Sequence, residues 1–233
     1  RRSSDLSSNP RLSKTLLMNT WSFRRIGVGL TLSILALILT GCGNETQSVF
    51  PQTDETLTTR ENRDPEKTLW SKLQEAETHY FVLMRHALAP GTGDPPNFEL
   101  GDCSTQRNLS EEGRMQARRT GEAFKDRNIE VDQVLSSQWC RCLETAELLD
   151  LGVVKPFPPL NSFFRDRSTE PKQTAQAREF MREQEESSGV TVMVTHFVNI
   201  SALSRSGVSS GEMVVMEVNP ENQLQVVGQI DAL

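Results

Sequence analysis

Two histidines and an arginine stand where an α/β protein can carry out chemistry. Arg85 and His86 follow the apolar run 80–84, whose aromatic and β-branched residues predict a central strand of a parallel sheet. His196 follows the β-branched run 190–194 in the same way. Since open α/β sheets bind ligands beyond the carboxyl ends of their strands, we expect both histidines at one crevice.

A second arginine lies at the start of a predicted helix. Ser136 and Ser137 follow a short apolar run as potential N-caps, and apolar residues then recur at helical spacing. Arg141 therefore falls in the first turn, where the helix N-terminus and the five-donor guanidinium both favour an anion. The alternative is a surface arginine paired with Glu144 or Glu147.

Four ordered motifs resemble those of the histidine phosphatase superfamily, which has the phosphoglycerate-mutase-like fold. They are Arg85-His86-Ala87, where most members have Arg-His-Gly; the segment 109–117, similar to the family's Leu-Thr/Ser-x-x-Gly-x-x-Gln-Ala helix; the segment 136–146 with its Arg and Thr-Ala; and Thr195-His196. The resemblance covers roughly residues 79–205. It implies a phosphoryl-transfer site built from these motifs.

The residue types suit that chemistry. A phosphomonoester is close to a dianion at neutral pH, and Arg85 and Arg141 can clamp it bidentately. The resemblance assigns a phosphohistidine intermediate to His86, and it implies that His196 donates to the equatorial oxygens in the transition state. Arg107 and Asn108 are further phosphate-binding candidates, or serve the loop and the next helix start. We expect no cofactor and no metal.

The general acid that protonates the leaving alcohol is not evident. The family places a Glu or Asp after the second arginine motif or directly after the second histidine, and here the latter position holds Phe197. We favour Asp166, with Glu170, Glu99 and Asp102 as alternatives. Branches that cleave good leaving groups work without such an acid, so its absence would change the substrate class.

The pattern of elements predicts a three-layer α/β/α sandwich with a mostly parallel central sheet in a single domain. A Pro- and Gly-rich loop at 89–98 is expected to wrap the mouth of the site. Helices are predicted near 64–77, 111–126, 140–150, 171–187 and 197–204, and strands near 80–85, 132–135, 190–195, 213–218 and 224–230, the last two as a hairpin.

The N-terminal part predicts export. Residues 1–17 are an expected upstream extension, and 18–41 have the basic, apolar and lipobox regions of a bacterial lipoprotein signal peptide. About 14 apolar residues are too few to span a bilayer, which needs roughly 20. We expect a lipid on Cys42, a flexible tether over 42–63 and the catalytic domain over 64–233, on the periplasmic side of the cell envelope. An uncleaved interfacial anchor is the alternative.

The cysteines and the charge fit that compartment. With Cys42 lipidated, an oxidising space favours one disulfide and one free thiol, with Cys103 bonded to either Cys140 or Cys142. A zinc site using Cys140, Cys142 and a histidine is the alternative. From residue 43 onward there are 19 basic and 30 acidic residues, net −11. Nucleic acid is thereby excluded as a partner, because its binding requires a broad basic face.

We therefore expect a hydrolase of small extracytoplasmic phosphomonoesters, sugar phosphates among them. The arrangement is similar to the exported branch containing lipopolysaccharide core heptose phosphate phosphatases. Two alternatives are a phosphoglycerate-mutase-type phosphotransferase and a lipid-anchored phosphate-ligand binding protein that has lost turnover.

Overall fold

The computed structural model describes residues 65–184 and 186–233, which include a six-stranded sheet. The strands are β1 (His79–Arg85), β2 (Gln133–Ser136), β3 (Val154–Pro156), β4 (Gly189–Thr195), β5 (Met213–Val218) and β6 (Leu224–Ile230). Their spatial order is β3-β2-β4-β1-β5-β6, with β1 to β4 mutually parallel where they pair and β5 antiparallel to both of its neighbours. The predicted mostly parallel sheet and closing hairpin are confirmed.

Within the described residues, five α-helices cover the two faces of this sheet. They are α1 (Pro65–Glu75), α2 (Glu111–Asp126), α3 (Cys140–Leu149), α4 (Glu170–Arg182) and α5 (Phe197–Ser204). The helices α1, α2 and α3 pack on one face and α4 and α5 on the other, each through its own apolar core. The α/β/α layering is therefore as predicted.

Strand β1 shows why both faces are covered. Tyr80, Val82 and Met84 contribute to the core under α1, α2 and α3, whereas Phe81 and Leu83 contribute to the core under α4 and α5. Successive side chains of a strand point to opposite faces, so a continuously apolar run requires helices on both sides.

The structure departs from the sequence prediction at two places. Helix α4 ends at Arg182 rather than 187, because Met181 is its last buried residue and the next side chains are polar. Strand β3 was not expected, since it has only three residues at the sheet edge and contains Lys155 and Pro156.

The N-terminal predictions lie outside the described residues. This applies to the extension 1–17, the signal peptide 18–41, the lipidation site Cys42, the tether 42–63 and Asp64 at the predicted domain boundary. Across 65–184 and 186–233, no helix is long and apolar enough to span a bilayer.

Candidate active site

The sheet brings His86 and His196 together. Strands β1 and β4 are parallel neighbours with Arg85 opposite Thr195, so the residue after each strand emerges at the same level. The His86 amide donates to the Thr195 carbonyl at 2.9 Å, and the two imidazole centroids are 5.5 Å apart. Both histidines lie at the same edge of the sheet, as the strand-end rule predicts, and both are buried.

The hydrogen bonding of His86 fixes the nitrogen available for attack. Its Nδ1 lies 2.8 Å from the carbonyl oxygen of Ala87. Since a carbonyl only accepts, Nδ1 carries the proton and Nε2 keeps its lone pair. Burial first, and then the charge of Arg141, lower the pKa of His86 to about 3. The imidazole is therefore neutral near pH 7, as a nucleophile must be.

His196 is held in place by a short polar chain. Its Nε2 lies 2.9 Å from the Ser137 hydroxyl, which in turn donates to the Asn161 side-chain oxygen at 3.3 Å. On its other side, Arg141 Nη2 lies 3.5 Å from Nδ1. Burial, followed by the charge of Arg141, holds the pKa of His196 well below its ordinary value, so this imidazole is also neutral.

Ser136 and Ser137 do not cap α3. Ser136 is the last residue of β2, and the N-cap position is taken by Trp139 without a side-chain cap. The Ser137 hydroxyl instead accepts from the Trp139 amide at 3.3 Å and contacts His196. Ser137 could not be recognised from sequence as part of the site, because an N-cap serine and a histidine-orienting serine have the same local sequence signal.

Three guanidinium groups converge on the histidine pair. Arg85, Arg107 and Arg141 all line the cavity that contains His86 and His196. Arg85 and Arg107 are fixed through backbone carbonyls: Arg85 Nη1 donates to Val208 at 2.8 Å, and Arg107 donates to Gly93 at 3.0 Å and to Ala89. Such concentrated positive charge in a low-dielectric cleft favours an anion.

A buried carboxylate that the sequence analysis did not single out completes the site. Asp94 forms an ion pair with Arg141 at 2.7 Å, and the two side chains are only 6% and 3% exposed. Asp94 also accepts from Trp139 Nε1 at 3.1 Å and from the Arg107 amide at 3.2 Å. Burial alone would raise the pKa of Asp94, but hydrogen bonds and charge from Arg141 outweigh it and lower the pKa.

Arg141 therefore does not pair with Glu144 or Glu147, the surface partners considered from sequence. Glu144 instead accepts from Arg114 of α2 at 2.6 Å. The buried position of Arg141 in the first turn of α3 is the one that anion binding requires.

These groups surround a cavity of about 240 Å³. At its mouth Phe164 and Phe197 are 51% and 45% exposed. The predicted mouth loop contributes to the wall through Gly91, Thr92, Gly93 and Asp94, and the remaining lining residues are Arg85, His86, Arg107, Trp139, Arg141, Ser162, Phe164, Arg165, His196, Phe197 and Val198.

Residues 81–160 match the histidine phosphatase superfamily (branch 1). The matched segment contains Arg85, His86, Arg107 and Arg141, and the resemblance drawn from the motifs is confirmed at that level. No curated protein sequence matches the chain.

Several solved structures are similar to this chain at low sequence identity. Bacillus stearothermophilus YhfR is 16% identical with a TM-score of 0.50, over 67% of this chain and 98% of that one. The phosphoserine phosphatase of Entamoeba histolytica, solved with 3-phosphoglyceric acid, is 12% identical with a TM-score of 0.49, over 66% of this chain and 98% of that one. The protein histidine phosphatase SixA, solved with tungstate, is 15% identical with a TM-score of 0.48, over 65% of this chain and 96% of that one.

The general acids predicted from sequence lie away from the cavity that contains His86 and His196. Asp166 is exposed and caps a short 3₁₀ turn, where it accepts from the Ser168 amide at 2.9 Å. Its pKa is lowered by the hydrogen bonds from Ser168, so it is a poor proton donor as placed. Asp102 caps a second 3₁₀ turn, and neither Glu99 nor Glu170 lines the cavity.

Asn108 is likewise not at the site. Its side-chain nitrogen donates to the Cys103 carbonyl at 2.7 Å, so it orders the loop before α2. Of the two additional phosphate-binding candidates, only Arg107 lines the cavity.

The part of the chain that the structure describes contains one disulfide and one free thiol, as predicted for Cys103, Cys140 and Cys142. Cys103 is bonded to Cys140, and Cys142 is free and buried. The zinc alternative is wrong, because Cys140 in a disulfide has no thiolate to offer and the described residues contain no group of three or more His, Cys, Asp or Glu that could hold a metal ion. The bond ties the loop that carries Arg107 to the first turn of α3, which carries Arg141.

Proposed function

We propose that this protein is a phosphomonoester hydrolase that acts through a phosphohistidine on His86. The observation that carries the proposal is a buried, neutral imidazole whose Nδ1 donates to the Ala87 carbonyl, leaving Nε2 unprotonated in a cavity with the guanidinium groups of Arg85, Arg107 and Arg141. The match of residues 81–160 to the histidine phosphatase superfamily supports the same chemistry.

The hydrolysis follows in two steps. His86 Nε2 attacks phosphorus while the bond to the leaving oxygen breaks, which transfers the phosphoryl group to the imidazole. The Nδ1 proton, held by the Ala87 carbonyl at 2.8 Å, stabilises the positive charge that the ring acquires. Water then attacks phosphorus, releases inorganic phosphate and returns His86 to its neutral form.

The arginines stabilise the phosphoryl oxygens, and His196 lies beside them. Arg85, Arg107 and Arg141 supply fixed positive charge around the cavity. Neutral His196 carries one ring proton, and because the Ser137 hydroxyl donates to Asn161, Nε2 donates that proton to Ser137 at 2.9 Å, which orients the ring. Donors that are already in place cost little reorganisation when charge moves during the reaction.

The mouth of the cavity suits a small phosphorylated molecule with an apolar ring face, which includes sugar phosphates. Phe164 and Phe197 present exposed aromatic surface there, and Arg165 adds a cationic group. Exposed large apolar side chains that gather at one cavity are typical of ligand contact. These residues would hold the part of the substrate that leaves.

We also propose that the enzyme acts outside the cytoplasm, anchored by a lipid on Cys42. The lipobox at 39–42 supports this, and so does the Cys103–Cys140 disulfide, because disulfides persist in oxidising compartments. Membrane fractionation of cells that express the full chain tests the anchor: Cys42→Ala should move the protein out of the membrane fraction, and retention there would contradict lipidation.

Activity of the full-length protein on simple phosphomonoesters tests the proposed function. We expect release of inorganic phosphate from p-nitrophenyl phosphate and from at least one sugar phosphate between acidic and neutral pH, without added metal. Binding of inorganic phosphate with no turnover of any substrate would instead identify a binding protein. Transfer to a second substrate hydroxyl in preference to water would identify a phosphotransferase.

A further inference from the structure

Asp94 accepts hydrogen bonds from donors that a phosphoryl group also needs. Its two carboxylate oxygens receive Arg141 Nη1 at 2.7 Å and Nη2 at 3.3 Å, Trp139 Nε1 at 3.1 Å and the Arg107 amide at 3.2 Å. Four donors around one buried carboxylate make a complete anion site. The chain therefore fills part of its own phosphate-binding apparatus.

While this pair is intact, the two terminal nitrogens of Arg141 cannot clamp a substrate phosphoryl group bidentately. Both of its terminal nitrogens contact Asp94, its Nε is buried without a partner, and the side chain is only 3% exposed. A phosphoryl dianion carries more charge than a carboxylate, so the same guanidinium attracts it more strongly. Bidentate substrate binding at Arg141 thus requires Asp94 to leave.

The segment that carries Asp94 has the backbone freedom to allow this. Gly91 and Gly93 precede it with φ values of +89° and +71°, a region that glycine alone enters without strain. Residues 91–94 line the cavity and belong to no strand or helix. Displacement of Asp94 needs no change in the sheet.

We propose that Asp94 is the proton donor of the hydrolysis proposed above: the substrate phosphoryl group displaces its carboxylate from Arg141, and the released carboxyl group protonates the leaving oxygen. Among the residues that line the cavity, Asp94 is the one with a carboxyl group. Asp166, Asp102, Glu99 and Glu170 lie elsewhere.

Displacement itself prepares Asp94 for this role. Loss of Arg141 as a partner and the arrival of a phosphoryl dianion both raise the pKa of a carboxyl group. The charged groups that line the same cavity are Arg85, Arg107, Arg141 and Arg165. A bound phosphoryl group offsets the charge of the first three, Arg165 donates to the Pro95 carbonyl at 3.3 Å, and the histidines are neutral. Asp94 therefore takes up a proton when the substrate binds.

The proton balance closes over one turnover. As His86 Nε2 forms its bond to phosphorus, the bond between phosphorus and the leaving oxygen breaks, and that oxygen takes the Asp94 proton. In the second step the Asp94 carboxylate accepts a proton from the attacking water, so the acid of the first step is the base of the next. When phosphate leaves, Asp94 releases to solvent the proton that it took up on substrate binding and re-forms its pair with Arg141 as a carboxylate.

The Asp94→Asn variant tests this directly, with Asp166→Asn as the matched control. For Asp94→Asn we expect kcat/KM for an alkyl phosphate to fall by about 10²-fold or more, and kcat/KM for p-nitrophenyl phosphate, whose leaving group needs no proton, to change far less. Inorganic phosphate should bind more tightly, since its internal competitor has lost its charge. Asp166→Asn should resemble wild type throughout.

Several outcomes would overturn the inference. Equal losses on both substrates, weaker phosphate binding by Asp94→Asn, or a selective loss of alkyl phosphates in Asp166→Asn would each do so. If Asp94→Asn does not fold, wild type decides: comparable rates for alkyl and aryl phosphates support a proton donor, and a decline of 10³-fold or more from aryl to alkyl rejects it. A wild-type protein that hydrolyses neither class refutes the proposed function, not only this inference.

Discussion

Replacement of His86 by alanine should reduce kcat for p-nitrophenyl phosphate by at least about 10⁴-fold, because it removes the atom that forms the covalent intermediate. The loss should be the same for every phosphomonoester that the enzyme accepts, since all of them pass through the same intermediate. Steady-state phosphate release measures it.

His79 provides the matched control for this variant. It lies at the opposite end of the same strand, buried, where its ring contacts the hydroxyls of Thr191 at 2.8 Å and Ser187 at 2.9 Å. These contacts are structural and lie away from the cavity, so His79→Ala should lower stability and leave kcat of the folded protein within a few-fold of wild type. Normal hydrolysis by His86→Ala would mean that another group is the nucleophile.

Mild acid should destabilise the folded domain. In the unfolded chain a histidine has a pKa near 6.5, whereas burial and the nearby arginines lower the pKa of His86 to about 3 in the fold. Between those values the unfolded state binds a proton that the folded state does not, so the free energy of unfolding falls as pH falls. The slope is about 1.4 kcal/mol per pH unit, or about 2 kcal/mol between pH 6.5 and pH 5 from His86 alone.

Urea denaturation at several pH values between 7 and 5 measures this loss. The pKa of His196 and that of His79 are also lowered in the fold, mainly by burial, so they add to the effect in the same direction. The His86→Ala variant should show a smaller slope, by about 1.4 kcal/mol per pH unit. An equal free energy of unfolding at pH 7 and pH 5 would show that His86 is not held neutral.

The positions of His86 and His196 could be predicted because they depend on one rule. Each follows an apolar strand, and parallel strands place their carboxyl ends on the same edge. Because Arg85 lies opposite Thr195 in the strand register, the two imidazole centroids are 5.5 Å apart. Arg141 could be placed for a similar reason, since helical spacing fixed its turn.

Asp94 could not be found in this way. It lies in a Pro- and Gly-rich loop without periodicity, and its partner Arg141 is 47 residues away. Only the folded chain brings a loop carboxylate to a helix N-terminus. Conversely, Asp166 belongs to an Asp-x-Ser sequence whose local turn accounts for its position, and the side chain caps that turn instead of reaching the cavity.

The disulfide partner of Cys103 is another feature that could not be predicted from sequence. Their number and the expected compartment predicted one disulfide, but the choice between Cys140 and Cys142 depends on which side of α3 faces the loop at Cys103. Cys142 is turned into the core, where burial raises the pKa of its thiol to about 12. Cys140 faces the loop and forms the bond.

Direct detection of the phosphorylated enzyme tests the central claim most sharply. The full-length protein is mixed with a radiolabelled phosphomonoester, quenched with alkali, in which a phosphohistidine survives, digested and analysed by mass spectrometry. We expect one labelled peptide, with the phosphoryl group on His86, and its absence in His86→Ala. Label on another residue, or phosphate release by wild type with no labelled peptide at any reaction time, would contradict the phosphohistidine mechanism.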